Sequence, residues 1–210
     1  MKTKKLTWLT VGLVALGLIS SSTASIVTLG DVTDNGGGSY TISSGDGSVS
    51  SGVASVPDAT IETWIGLAPG TLDAMAVTTN IALVTEGSAI KQTAAMAAGD
   101  TLSFDWVWES DETTAGQPAE FADFAFYSLT FLGATYLVDR FAPNGTSGSF
   151  SWVAPTAGTM TLGIGVVDVG DTNVESRLGV SNMVIPEPAS IGLLGLVSGG
   201  IFFIRRRFAA

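Results

Sequence analysis

Thr101-Leu102-Ser103-Phe104-Asp105-Trp106-Val107-Trp108 is the stretch on which the fold is decided. Leu102, Phe104, Trp106 and Trp108 alternate with Thr101, Ser103, Asp105 and Val107. A period of two places the four large residues on one face of a strand and the small or polar ones on the other. Gly99-Asp100 before it is a turn signal, and the run Ile90 to Met96 is expected to pair with it as a hairpin.

Working outward, runs of the same kind cover 124–132, 135–141, 149–153, 159–168 and 177–185, each bounded by Gly, Pro, Asn or Asp. In the run 159–166, Met160, Leu162, Ile164 and Val166 form a large apolar face. Gly163 and Gly165 leave the opposite face flat, suited to another backbone or a planar ligand. Upstream, Gly36-Gly37-Gly38 and the Ser/Gly-rich stretch 43–52 read as loops, and the chain reads as β-like from Ala59 onward. The best helical candidate, Ala94 to Ala98, is cut off by Gly99 and is too short to count. The predicted fold class is therefore all-β, an antiparallel β-sandwich over residues 25–185.

The two ends read differently. Lys2, Lys4 and Lys5 precede the apolar run Leu6 to Ile19, and small residues follow, which predicts a signal helix over 1–24 cut by signal peptidase between Ala24 and Ser25. The alternative, an uncleaved anchor, needs an apolar run of roughly 20 residues, and this one is shorter. At the other end Pro186-Glu187-Pro188 denies donors to any ladder and ends the domain. Uncharged residues fill 189–204, and Arg205-Arg206-Arg207 follows, a basic flank that places this end on the cytoplasmic side of a C-terminal transmembrane helix. On physics alone a plain C-terminal anchor fits that pattern equally well.

Composition narrows the chemistry. With no cysteine and no histidine, the chain has no disulfides, no zinc site of the His/Cys kind, no cysteine nucleophile and no Ser-His-Asp triad. Between Ser25 and Ile185 stand 18 acidic residues and three basic ones, Lys91, Arg140 and Arg177, a formal net charge of −15. Such a domain repels nucleic acid and suits solubility or divalent cations.

Three constellations bear on function. Asp168, Asp171, Asn173 and Glu175 surround Gly170 and are a candidate Ca²⁺ loop, although the spacing is not that of an EF-hand and a solvated acidic turn has the same composition. Trp64 and Trp152 are candidates to stack on sugar rings, whereas Trp106 and Trp108 belong with the core face. Asp105 and Asp123, with Glu109, Asp111 and Glu112 nearby, suit a glycosidase pair only if they face one cleft, and the expectation is a non-enzymatic protein. Asn144-Gly145-Thr146 reads as a hairpin turn before it reads as a glycosylation acceptor.

The tail of the chain resembles that of the PEP-CTERM family of exosortase substrates: Pro186-Glu187-Pro188, the apolar segment 189–204 and the basic cluster Arg205-Arg206-Arg207. The resemblance implies recognition by an exosortase, a membrane-embedded sorting enzyme similar to cysteine proteases. It also implies a precursor held transiently in the inner membrane, then delivery to the cell surface or extracellular matrix of bacteria that make exopolysaccharide. The body from Gly99 to Met183 is similar to a recurrent module of such proteins, through Gly99-Asp100-Thr101-Leu102-Ser103-Phe104-Asp105-Trp106, Asp123-Phe124-Ala125-Phe126 and Leu162-Gly163-Ile164-Gly165-Val166-Val167-Asp168. That similarity implies a jelly-roll-like sandwich akin to carbohydrate-binding domains. Here the closing pattern is Glu175-Ser176, Leu178 and Val180-Ser181-Asn182-Met183, with Ser181 where an Asp is usual, which removes a candidate metal ligand and weakens any carry-over of an ion site. The functional expectation is an exported structural or exopolysaccharide-associated protein, the alternative a carbohydrate-binding module stabilised by Ca²⁺.

Overall fold

A computed structural model describes residues 25–45, 53–79, 83–111, 122–130, 132–139, 142–170, 172 and 174–186. The expected signal helix 1–24, the tail from Glu187 onward with its expected transmembrane helix, and the loop residues Asp171 and Asn173 lie outside these residues. No helix of the described residues is long and apolar enough to cross a membrane.

Eleven strands appear among the described residues: β1 (Val27–Leu29), β2 (Val32–Gly36), β3 (Ser39–Ser43), β4 (Val56–Pro57), β5 (Val84–Met96), β6 (Thr101–Ser110), β7 (Phe124–Leu129), β8 (Gly133–Asp139), β9 (Thr146–Val153), β10 (Gly158–Val169) and β11 (Ser176–Val184). Two helices, α1 (Asp58–Ile65) and α2 (Thr71–Thr79), stand between β4 and β5. Sheet A runs β1-β5-β10-β7-β8, with β4 also on β5, and sheet B runs β2-β3-β11-β6-β9. Every pairing is antiparallel.

The sheets pack face to face through the residues that alternation assigns inward. From sheet B come Ile42, Leu102, Phe104, Trp108, Leu178 and Val180; from sheet A come Ile90, Leu129, Met160, Leu162, Ile164 and Val166. Trp108 is fully buried, while Trp106 is half-buried against the same core. Burying a large apolar side chain is worth about 1.5–3 kcal/mol, so this alternating pattern is the main source of cohesion in a chain without disulfides.

Three expectations need correction. The run Ile90 to Met96 is the end of β5 in sheet A, whereas Thr101 to Trp108 lies in sheet B, so residues 97–100 cross between sheets and form no hairpin. Gly99 N–H donates to Ala154 O and Ala154 N–H to Asp100 O, which ties this crossing to the end of β9 instead. Asn144-Gly145 is a turn, but it joins β8 to β9 in the other sheet, and Asn144 Oδ1 accepts from Ser110 N–H at 2.7 Å. Finally, the stretch after Pro57 is helical. Ile61 and Ile65, then Leu72 and Ala76, recur at a spacing of four and bury one face of each helix.

Those helices cover the outer face of sheet A. Ile61, Ile65, Leu72 and Ala76 meet Ala89, Phe124, Phe126, Val167 and Val169 in a second apolar layer. The flat face foreseen at Gly163 and Gly165 therefore lies against protein. A Cβ on Gly163 would come within 3.2 Å of Ile65, and one on Gly165 within 2.7 Å of the Phe126 ring. Buried Glu62 fastens the layer: its Oε2 accepts from Gly70 N–H at 2.8 Å and its Oε1 from Leu72 N–H at 2.7 Å, at the start of α2.

Candidate functional site

Among the described residues no helix packs on sheet B, whose outer face is made by the odd-numbered residues of β6 and their partners on β9 and β11. At its centre Asp105 stands opposite Ser149 on one side and Ser181 on the other. Ser149 Oγ donates to Asp105 Oδ1 at 2.5 Å, and Asn182 Nδ2 donates to Oδ2 at 2.8 Å. The hydrogen bond from Ser149 holds the carboxyl below the usual carboxylate range; that from Asn182 adds to it, and partial desolvation opposes both. Asn182 has φ 50° at an irregularity between Ser181 and Val184. That conformation, tolerated by Asn better than by most residues, aims its amide back at Asp105. Thr41, Ser103 and Ser151 extend this hydrogen-bonding surface, and Gly179 keeps it low.

One end of the sandwich is closed by buried polar groups. Ser43 Oγ donates to Glu175 Oε1, and the Arg177 guanidinium donates to Glu175 Oε2 and lies 3.7 Å from Asp111. Its hydrogen bond to Glu175 is the main reason the Arg177 pKa is raised, with the Glu175, Asp111 and Glu109 charges adding to it against desolvation. Ser44 Oγ donates to Asp123 Oδ2 at 3.3 Å, Val169 N–H donates to Asp123 Oδ1 at 3.0 Å, and Ser176 Oγ pairs with Ser110 Oγ at 2.9 Å.

These contacts place the anticipated site residues. Asp168 and Glu175 are both buried, and both Glu175 oxygens are taken by Ser43 and Arg177; Asp171 and Asn173 lie outside the described residues. Among the described residues no group of three or more acidic side chains is gathered as metal ligands. Asp105 and Asp123 do not share a cleft, since one faces out from sheet B and the other is buried before β7. Trp64 carries the Lys91 ammonium 4.4 Å above its ring, and the same ammonium donates to Trp64 O at 2.8 Å, so one face of the indole is occupied. Trp152 lines a small apolar hollow of about 200 Å³ with Met96, Ala154, Pro155 and Met160. A shallower hollow of about 550 Å³ lies between α2 and β8, bordered by Gly70, Met75, Ala134 and Tyr136. Sequence reasoning passed over Arg177 as the partner of Glu175, although it is one of three cations in 25–185 and stands two residues away.

The last strand ends at Val184, Ile185 still packs on the core, and the described chain stops at Pro186. Similar solved structures include the secreted serine protease VesC from Vibrio cholerae, at 17% identity and TM-score 0.29, over 50% of this chain and 21% of that one. Family 16 Carbohydrate Binding Module-2 aligns at 14% identity and TM-score 0.28, over 49% of this chain and 83% of its own. A CBM4 structure aligns at 10% identity and TM-score 0.25, over 51% and 84%. This chain thus spans about a fifth of the protease, and likeness at these scores bears on neither fold nor chemistry. No curated protein matches the chain. A family model does match at the end of the domain: residues 184–207 fit the PEP-CTERM protein-sorting motif. Those residues, which begin at the last residue of β11, are the part of the chain that carries the PEP-CTERM protein-sorting motif.

Proposed function

We propose that this is an exported surface or matrix protein without enzymatic activity, sorted and processed by an exosortase. The observation that carries the reading is the position of the motif. The match starts at the last residue of β11, and the last core contact, Ile185, comes just before Pro186-Glu187-Pro188, so a cut at that tripeptide releases a finished domain. In this scheme signal peptidase removes 1–24 before Ser25, and residues 189–204 hold the precursor in the inner membrane with Arg205, Arg206 and Arg207 inside. Cleavage at the motif converts a tethered precursor into a soluble domain of net charge −15. Mass spectrometry of the mature C-terminus in the native host tests this, and Glu187→Ala blocks processing if the motif is read by an enzyme.

The uncovered hydrogen-bonding face of sheet B supports a finer role, association with exopolysaccharide. Asp105, Ser149 and Asn182 offer acceptors and donors to sugar hydroxyls without an aromatic platform. Retention of the secreted protein on the host's own polysaccharide, lost in Asp105→Ala, is the expected result. Equal retention of both proteins removes that role and leaves a purely structural one.

A further inference from the structure

Sheet edges offer unpaired backbone groups to other chains, and stable proteins blunt them with short strands, charges, prolines or bulges. Three edges of this sandwich are blunted. Along β5 lie only β1, three residues long, and β4, two residues long and containing Pro57. At the far side of sheet A, β8 ends at Asp139 and its register with β7 shifts between Ala125 and Phe126. On sheet B, β2 carries Asp34 and its register with β3 shifts beside it. The fourth edge, β9, has none of these features. It is eight residues long, Thr146-Ser147-Gly148-Ser149-Phe150-Ser151-Trp152-Val153, without charge or proline, and its register with β6 is unbroken. Among the described residues nothing pairs with its outer side. It is the longest uncharged edge among the described residues, so in a domain of net charge −15 a second copy can approach along its whole length without setting like charges side by side.

The geometry points to a second copy of this chain as the occupant of that edge, paired antiparallel about a two-fold axis at Phe150. Ala154 N–H donates to Asp100 O, so the even-numbered residues of β9 direct their amides at β6. The N–H and C=O groups of Ser147, Ser149, Ser151 and Val153 consequently point outward. With the axis at Phe150, Ser149 pairs with the partner's Ser151 and Ser147 with the partner's Val153, four hydrogen-bonded pairs and eight backbone hydrogen bonds in all. On the inner side, Phe150 meets the partner's Phe150, and Trp152 stands opposite the partner's Gly148, beside the Trp106 ring that lies over that glycine in each copy. Phe150 is half-buried and already stacks on Phe104 at 5.1 Å and Tyr127 at 4.4 Å, so pairing carries an aromatic row from one core into the next. The two copies of sheet B become one ten-stranded sheet.

The test uses the full chain in detergent micelles, with sedimentation equilibrium reading the dimer. Ser151→Pro removes an outward N–H and no bond to β6, so the fold survives while two hydrogen bonds of the dimer are lost. A dissociation constant at least about thirtyfold weaker is expected. Ser151→Glu adds to the edge a charge of the same sign as the domain's, set by the two-fold pairing near its own copy in the partner, and is expected to give monomers; if the proline variant fails to fold by circular dichroism, this variant decides. Because the chain has no cysteine, a spin label on Ser149→Cys and another on Ser147→Cys read the register. The antiparallel strand spacings place the two copies of site 149 about 9 Å apart and those of site 147 about 20 Å apart. A monomeric wild type, a dimer indifferent to Ser151→Pro and Ser151→Glu, or label distances that do not differ between the two sites would overturn the proposal.

Discussion

Glu62→Ala is expected to loosen the helical layer of sheet A more than any substitution on the helices' exposed faces. The carboxylate is 2% exposed and is spent entirely on two amides, Gly70 N–H and Leu72 N–H, where α2 begins. Hydrogen bonds to a charged group contribute about 1.5–3 kcal/mol each. The Leu72 amide is buried and loses its partner outright, whereas the part-buried Gly70 amide regains water, so the loss is nearer the lower bound for the second bond. Together these give about 4 kcal/mol, with Glu62→Gln at about half of that because one carbonyl oxygen still accepts. For a domain of this size, about 4 kcal/mol lowers the melting temperature by roughly 8–16 °C. Thermal unfolding followed by circular dichroism on both variants is the assay. A Glu62→Ala loss under about 1 kcal/mol, or equal losses for Ala and Gln, would mean that the Glu62 carboxylate does not fasten the start of α2.

Gly165→Ala is expected to cost about 1–3 kcal/mol, because the new methyl would lie 2.8 Å from Ser88 O, a backbone atom that cannot turn aside; an unchanged urea midpoint would contradict it. Arg177→Met leaves buried Glu175 without its cation, and since the guanidinium is partly exposed to water the cost is discounted to about 2 kcal/mol, read by urea denaturation. Asp105→Asn carries a pH signature. The folded carboxyl lies below its unfolded value, so its contribution is complete above about pH 4 and is lost as pH falls through the folded value. The melting difference between wild type and Asp105→Asn should shrink from neutral to strongly acidic pH, and a constant difference would dismiss the hydrogen bonds from Ser149 and Asn182 as its cause.

The parts of the fold legible in the sequence are those where one face of a strand alone is buried. Leu102, Phe104 and Trp108 alternate with exposed or half-buried residues and could be placed at once. The strand β10 is readable on its large apolar face, whereas Gly163 and Gly165 mark a flat second face, suited to a backbone or a planar ligand, without saying which lies on it. The cover, α1 and α2, was missed because each helix is only two turns long and rich in threonine and other β-branched residues, whose local preference favours strands. Weak signals existed in Pro57-Asp58, in Gly66 after Ile65, and in the spacing of Ile61 with Ile65 and Leu72 with Ala76. The supposed hairpin at Gly99-Asp100 failed because a turn signal does not say whether the chain returns in the same sheet or crosses to the other. At the site, Asp105 was noticed for its charge, but its partners Ser149 and Asn182 are 44 and 77 residues away and are joined to it only by strand register.

The sorting of this chain is tested most directly by the mass of its mature C-terminus in the native host. Cleavage at or near Pro186-Glu187-Pro188 predicts a mature protein that lacks Arg205, Arg206 and Arg207 and a Glu187→Ala variant that keeps them. A mature wild-type protein still ending in Arg205-Arg206-Arg207-Phe208-Ala209-Ala210 would contradict the account and leave an ordinary membrane anchor.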